Sequence, residues 1–322
     1  MACIIAGLVG VPECQPDFWQ VFKMFKQMKT ILVPTDFSVH ALYALKVAAS
    51  IAKKINAEIK LVHAFNIPSA EYVEDYYYEE YYNEIKAQAG KKLNTLADMD
   101  ILKGIELSKH FVTNVFMWEL VTDNEYKNVD LIVIGSHGES GFNKVFIGSN
   151  TDKIVRLADS PVLTIKNEDV DFNIKTMVFA SDFYGDSYAV FEKIKFFADL
   201  YMAHIDLLKV ITPKDFEPTP ISKKLLEDFV KHFKLTDYSS NIYNATSIEK
   251  GITDFSDEIN ADLIAIETHG RTGIAHLING SLAEDIANHI DRPILSIKME
   301  KKLREASNLS SYPKDYRNWG AE

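Results

Sequence analysis

The sequence predicts a tandem of two α/β domains, each a doubly wound, five-stranded, mostly parallel sheet flanked by helices. Three observations carry that expectation. Short apolar runs alternate with segments whose apolar residues recur at helical spacing, the pattern of strand and crossover helix. The stretch Lys29-Thr-Ile-Leu-Val-Pro-Thr-Asp36-Phe37 returns as Lys175-Thr-Met-Val-Phe-Ala-Ser-Asp182-Phe183, and His137-Gly138, Gly148-Ser149 and Pro161-Val-Leu return as His269-Gly270, Gly280-Ser281 and Pro293-Ile-Leu. The length, 322 residues, suits two domains of ordinary size better than one.

The elements of the first copy follow in order. Ile31–Thr35 is a short apolar strand that ends at Asp36. Ser38 is a candidate N-cap for a helix with Ala41, Leu42, Leu45, Ala48, Ala49 and Ala52 on one face. Strands are expected at 58–65 and 106–112, then a short helix with Val115, Trp118 and Leu120 among its apolar residues. Leu131–Ile134 reads as a central parallel strand covered on both faces. A loop over 135–148, a helix from Ser149 and a last strand at 162–165 complete the unit. The second copy repeats the order, with strands near 176–181, 204–210, 240–244, 262–266 and 294–298. The first offset between the copies is 146 residues and the later one 132, so the first copy is longer between its second strand and its glycine loop. That extra length holds Tyr72, Tyr76, Tyr77, Tyr78, Tyr81 and Tyr82 among acidic residues. An amphipathic helix with its aromatics against the core is the expected form, and a lid or partner surface is the other reading.

The domains are expected at 29–166 and 175–298, joined by a polar linker at 167–174. Residues 1–28 form an N-terminal extension and 299–322 a charged tail. Met28 precedes the first strand directly and is a candidate start. The apolar run Cys3–Val11 is too short to span a bilayer and lacks the basic residues of a signal peptide. Cys3 and Cys14 are the two cysteines, so nothing beyond residue 14 can form a disulfide; a reducing compartment, the cytoplasm, is expected. A net charge of −11 argues against a nucleic-acid partner, which needs a basic face.

The chemistry is expected at the carboxyl ends of the strands, where Asp36 and Gly135 meet although distant in sequence. Gly135-Ser-His-Gly138, with Gly148-Ser149 at a helix entrance, fits a phosphate cradle. Glycines allow close backbone approach, a helix N-terminus supplies free N–H groups, and Ser149 adds a hydroxyl. Asp36 can accept from an adenine amine or a ribose hydroxyl, or help hold a metal ion such as Mg on the phosphates. No Cys/His cluster has zinc-ligand spacing, and neither a Gly-x-Ser-x-Gly elbow nor a Walker A loop is present. No catalytic residue is therefore named, and binding rather than catalysis is expected.

Both copies resemble the universal stress protein family, on Pro34-Thr35-Asp36-Phe37-Ser38 and on the motif Gly-x2-Gly-x9-Gly-Ser/Thr, which the first copy matches at Gly135, Gly138, Gly148 and Ser149. In ATP-binding members, the resemblance implies, the aspartate and the residue ending strand two contact adenine, while the glycine loop and serine take ribose and phosphates. Carried over, the site is Pro34, Thr35, Asp36, Ala64, Gly135, Gly138, Gly148, Ser149 and Asn150, for ATP or AMP. A second site would use Asp182, Val210, Gly270, Arg271, Gly280 and Ser281, but Glu267 replaces its first glycine and Ala180 replaces Pro34. A carboxylate there would repel phosphate, so the second copy reads as degenerate. In the first copy Glu139 stands where binding members often carry Arg or Lys. The resemblance also implies that the copies pack as an intramolecular pseudo-dimer through their last strands, with a homodimer of chains a further option. A nucleotide-free interaction module remains the alternative.

Overall fold

The computed structural model describes residues 28–65, 75–123, 125–136, 149–168, 172–185, 187–268 and 292–298. In the first half β1 (Thr30–Pro34), α1 (Val39–Ile55), β2 (Glu58–Phe65), α2 (Asp75–Ala97), β3 (Leu107–Thr113), β4 (Leu131–Gly135), α3 (Ser149–Leu157) and β5 (Val162–Ile165) succeed one another. The second half runs β6 (Thr176–Ala180), α4 (Ser187–Tyr201), β7 (His204–Ile211), α5 (Thr219–Phe233), β8 (Tyr238–Asn244), α6 (Ile248–Glu258), β9 (Leu263–Thr268) and β10 (Ile294–Lys298).

The halves join into one ten-stranded sheet of order β3-β2-β1-β4-β5-β10-β9-β6-β7-β8. Read outward from the centre, each half has the same strand order. Every pairing is parallel except the central one, where Ile294, Leu295 and Ser296 of β10 lie antiparallel to Thr164, Leu163 and Val162 of β5. The carboxyl ends of the two halves therefore emerge at opposite edges of the sheet. Lys298 ties the seam on its far side, reaching the Leu157 carbonyl at 3.1 Å and Asp159 at 2.8 Å.

The central strands are buried on both faces, which explains their unbroken apolar runs: Ile31, Leu32 and Val33 of β1 and Leu263 of β9 are fully buried. α1 is capped by the Ser38 hydroxyl, which accepts from Ala41 N–H, and it presents Ala41, Ala44, Ala48 and Ala52 to the sheet. The small side chains let the helix lie close. The second half fills the equivalent space differently, with Phe179, Phe183, Phe191, Phe229 and Phe233 in mutual ring contact. A repeated clamp starts each half. Asp130 accepts from the backbone N–H of Lys29 (2.7 Å) and Thr30 (2.9 Å), and Asp262 accepts from Lys175 (2.8 Å) and Thr176 (2.9 Å).

Three local expectations are corrected. The segment near Val115–Leu120 holds a single 3₁₀ turn, Leu120–Thr122, rather than an α-helix. Gly135 is the last residue of β4, not the first of a loop. The tyrosine-rich helix exists as α2, but Tyr81 is 47% exposed; the helix meets the core further along, through Ala89 and Leu93. Tyr72 lies outside the described residues.

Candidate functional site

The first crevice is built at the carboxyl ends of β1 and β4. β1 closes with Pro34 and Thr35, both buried, and then turns sharply. Phe37 takes a left-handed φ of 67°, a conformation that costs a non-glycine residue about 1 kcal/mol. The turn is held by two side chains: Thr35 Oγ1 accepts from Phe37 N–H (3.1 Å) and Asp36 Oδ1 accepts from Ser38 N–H (3.0 Å). Asp36, half-buried, is thereby fixed at the mouth with a defined rotamer. The same turn recurs in the second half. Phe183 has φ 61°, Ser181 Oγ accepts from Phe183 N–H (2.8 Å), and Asp182 Oδ1 accepts from Tyr184 N–H (2.9 Å). The strain is thus a property of the strand end itself in both copies.

Gly135 sits beside this turn for a reason that only the packing discloses. A Cβ built on it would lie 2.6 Å from the carbonyl carbon of His40 and 2.9 Å from the nitrogen of Ala41. The start of α1 is pressed against the strand, and only glycine leaves room. Thr151 of α3 donates its hydroxyl to the Gly135 carbonyl at 2.8 Å, and Ser136 N–H donates to Ile165 O at 2.8 Å, so β4 ends firmly. His40 borders the crevice, and burial pushes its imidazole below the ordinary value, with Asp36 acting in the opposite direction. His63, on β2, has its Nδ1 2.7 Å from the Thr35 carbonyl, with its ring against Phe37 (4.4 Å) and Phe111 (5.9 Å). It props the strained turn rather than standing as a free base.

The structure brings Pro34, Thr35, Asp36 and Gly135 together at the carboxyl ends of two adjacent parallel strands. Ala64 lies half-buried near the end of β2, and Asn150 is exposed in the first turn of α3, where Ser149 is the first helical residue. Gly138, Gly148 and Glu139 lie outside the described residues, as do Gly270, Arg271, Gly280 and Ser281. Of the second set, Asp182 is exposed at the strand end and Val210 is half-buried on β7, in contact range of a Cβ at Gly251. Among the described residues no group of three or more His, Cys, Asp or Glu is placed to hold a metal ion.

The second crevice differs at the position that matches Gly135. Glu267 is 3% exposed, and its Oε1 lies 2.9 Å from both Ser181 Oγ and Ser187 Oγ. Its other oxygen, Oε2, is buried without a hydrogen-bond partner. Burial, with the neighbouring Asp182 charge, pushes the carboxyl up to about 8, so it holds a proton at neutral pH. Gly185, the counterpart of Val39, lies in a turn, and the helix of this half begins at Ser187. The expectation of electrostatic repulsion by Glu267 is therefore corrected: as a neutral acid it carries no charge to repel phosphate, and what it brings to the position matching Gly135 is the bulk of its side chain.

Sequence reasoning missed a second polar group at this end. Lys209, buried on β7 at the position of His63, donates to the Asp182 carbonyl at 2.8 Å and lies 3.4 Å from Glu217 Oε2. Lys209 interrupts the apolar run Leu207–Ile211, and that interruption was the available signal. Elsewhere, a cleft of about 380 Å³ at the seam is lined by Met28, Asp130, Pro161, Lys193 and Phe196 among others. It lies at the amino ends of β1, β4 and β5 and contains none of the candidate site residues.

A model of the universal stress protein family matches residues 28–166 and 242–298. The chain belongs to that family. Universal stress protein YxiE of Bacillus subtilis is 28% identical over 151 residues, covering 44% of this chain and all of the relative. Universal stress protein MJ0531 of Methanocaldococcus jannaschii is 29% identical over 139 residues, covering 43% of this chain and 82% of the relative. A solved universal stress protein from Archaeoglobus fulgidus covers 85% of this chain and 98% of its own at 20% identity, with a TM-score of 0.63, a likeness of fold. The fold class read from the sequence is thus the family's fold. The stretch left unmatched between the two segments contains Lys209 and Glu217.

Proposed function

We propose that this universal stress protein binds one adenine nucleotide, ATP or AMP, in the crevice of its first half, and that occupancy rather than turnover is its output. The observation that carries the reading is the difference at one position between two strand ends that share the same turn. In the first, Gly135 has no side chain and Asp36 is held at the mouth by Ser38 N–H. In the second, Glu267 fills the matching position. The loop motif Gly135, Gly138, Gly148, Ser149 leads into the N-terminus of α3, where free N–H groups suit phosphate. A Mg ion would then be held mainly by the phosphates, with the Asp36 carboxylate at the mouth to assist.

Binding without turnover needs no positioned base. His63, the nearest imidazole on β2, is engaged with the Thr35 carbonyl, which supports a structural part for it. The reading places the protein in the cytoplasm with the nucleotide pool, and among the described residues no helix is long and apolar enough to cross a membrane. Its acidic charge, −11, supports a protein or small-molecule partner over nucleic acid. The test is calorimetric titration of the full chain with ATP, beside Gly138→Val. The expected result is one site per chain, lost in the variant. Zero sites in the parent chain sinks the proposal and leaves the nucleotide-free interaction module.

A further inference from the structure

The second half carries a polar grip that the nucleotide reading does not use. Between β7 and α5 the chain crosses the carboxyl end of β7 as a short strap, residues 212–218. It is shaped locally by Thr212 and Asp215, whose side chains lie 3.1 Å apart, and Asp215 N–H donates to Thr212 Oγ1 at 3.2 Å. The strap turns Glu217 inward. One oxygen of Glu217, Oε1, accepts from the Tyr184 hydroxyl. The other, Oε2, accepts from the Ser222 hydroxyl at 2.5 Å and faces the Lys209 ammonium at 3.4 Å. The grip is nearly dry: the side chains of Lys209 and Glu217 are 6% and 10% exposed, and Ser222 is fully buried. Tyr184 is held in place from below, since the Lys209 ammonium lies 5.0 Å from its ring centre.

We propose that Tyr184, Lys209 and Ser222 form a binding site for a single carboxylate, and that Glu217 fills this site in cis, locking the strap over the second crevice. The donor set matches that chemistry. Three donors meet two oxygens, and one ammonium balances one negative charge. A phosphate monoester would bring more charge than Lys209 balances. Lys209 already donates to the Asp182 carbonyl, which leaves it fewer protons for a third phosphate oxygen. The ligand class in trans is therefore the small monocarboxylate, not a nucleotide. The grip falls within the stretch that the family model leaves unmatched.

Removing the internal ligand while leaving the donors tests this in the full chain. Glu217→Ala should melt below the parent protein, because a buried ammonium loses its counter-charge. Sodium acetate should raise that midpoint saturably, in about the millimolar range expected for so small a ligand. Equimolar sodium chloride should not, and the parent protein should respond equally to both salts. The double variant with Lys209→Met should lose the acetate response. An unchanged midpoint in Glu217→Ala, or equal rescue by chloride, overturns the proposal, and stronger rescue by phosphate at matched ionic strength overturns its carboxylate specificity. If Glu217→Ala does not fold, Glu217→Gln keeps the shape and removes the charge. Backbone hydrogen exchange over 212–217 should then quicken at least several-fold, and unchanged exchange overturns the lock. No step uses a nucleotide, so the outcome is independent of the first crevice.

Discussion

Replacing Glu267 by glutamine isolates one buried proton. In the folded chain the carboxyl is pushed from an ordinary 4.5 up to about 8 by burial, with Asp182 adding to the effect and the two serine hydroxyls opposing it. Between those two values the folded protein holds a proton that the unfolded chain releases. The stability this contributes is fully present below pH 4.5 and is lost as pH rises through 8. Each pH unit between the two values corresponds to roughly 1.4 kcal/mol, so the whole span is worth about 4 to 5 kcal/mol as an order-of-magnitude ceiling. Glutamine keeps the size and the oxygen that faces Ser181 and Ser187, and it cannot ionise. The assay is urea unfolding of both proteins at about pH 5.5, 7 and 8.5, values that bracket the titration. Titrations common to both cancel in the difference. The variant should gain on the parent steadily, by up to about 1.4 kcal/mol per pH unit. Parallel stability curves across that range would refute the buried neutral acid.

Three further outcomes are expected. Gly135→Ala forces a methyl to within 2.6 Å of the His40 backbone, so the start of α1 must shift; thermal unfolding should report a loss of about 1–3 kcal/mol, and nucleotide affinity should fall with it. The matching change in the second half, Glu267→Ala, meets no such crowding, and its cost, read by the same thermal unfolding, should come instead from the hydroxyls of Ser181 and Ser187 left without their acceptor. Asp262→Ala removes the acceptor for two backbone N–H groups at the start of β6 and should cost about 1–2 kcal/mol by urea unfolding; an unchanged midpoint would mean that water replaces the clamp.

The sheet was legible because parallel central strands are buried on both faces, and short apolar runs such as Leu131–Ile134 and Leu263–Ile266, set between helical patterns and repeated, fit that form. The repeat then aligned the halves and put Asp36 and Gly135 at one edge. The antiparallel β5–β10 seam has no local signature, since three backbone pairings can be made by any apolar strand. Tyr81 of α2 misled for a related reason. Aromatic residues at helical spacing imply a buried face only if the helix reaches the core there, and α2 reaches it at Ala89 and Leu93. Glu217 was invisible because its partners come from three places: the turn after β6, the middle of β7 and the first turns of α5. Only folding assembles Tyr184, Lys209 and Ser222 around one carboxylate.

The two crevices differ in the residue at one strand end and in what surrounds it. α1 starts at Val39 and lies against β4, so position 135 can be nothing but glycine, and no side chain fills the crevice from that position. In the second half the residue matching Val39 is Gly185, which is in a turn, and the position matching Gly135 is taken by a protonated glutamate. The strand end there is then finished by chemistry internal to the chain, with Glu267 on the floor and Glu217 held by Lys209 at the side. A single substitution such as Glu267→Gly would therefore not restore a nucleotide site. It would remove the floor acid while α4 still begins late and the strap still closes the edge. ATP titration of that variant should give the same stoichiometry as the parent. A gain of one site per chain would show that the side chain at this position alone decides occupancy, and that neither the helix start nor the strap contributes.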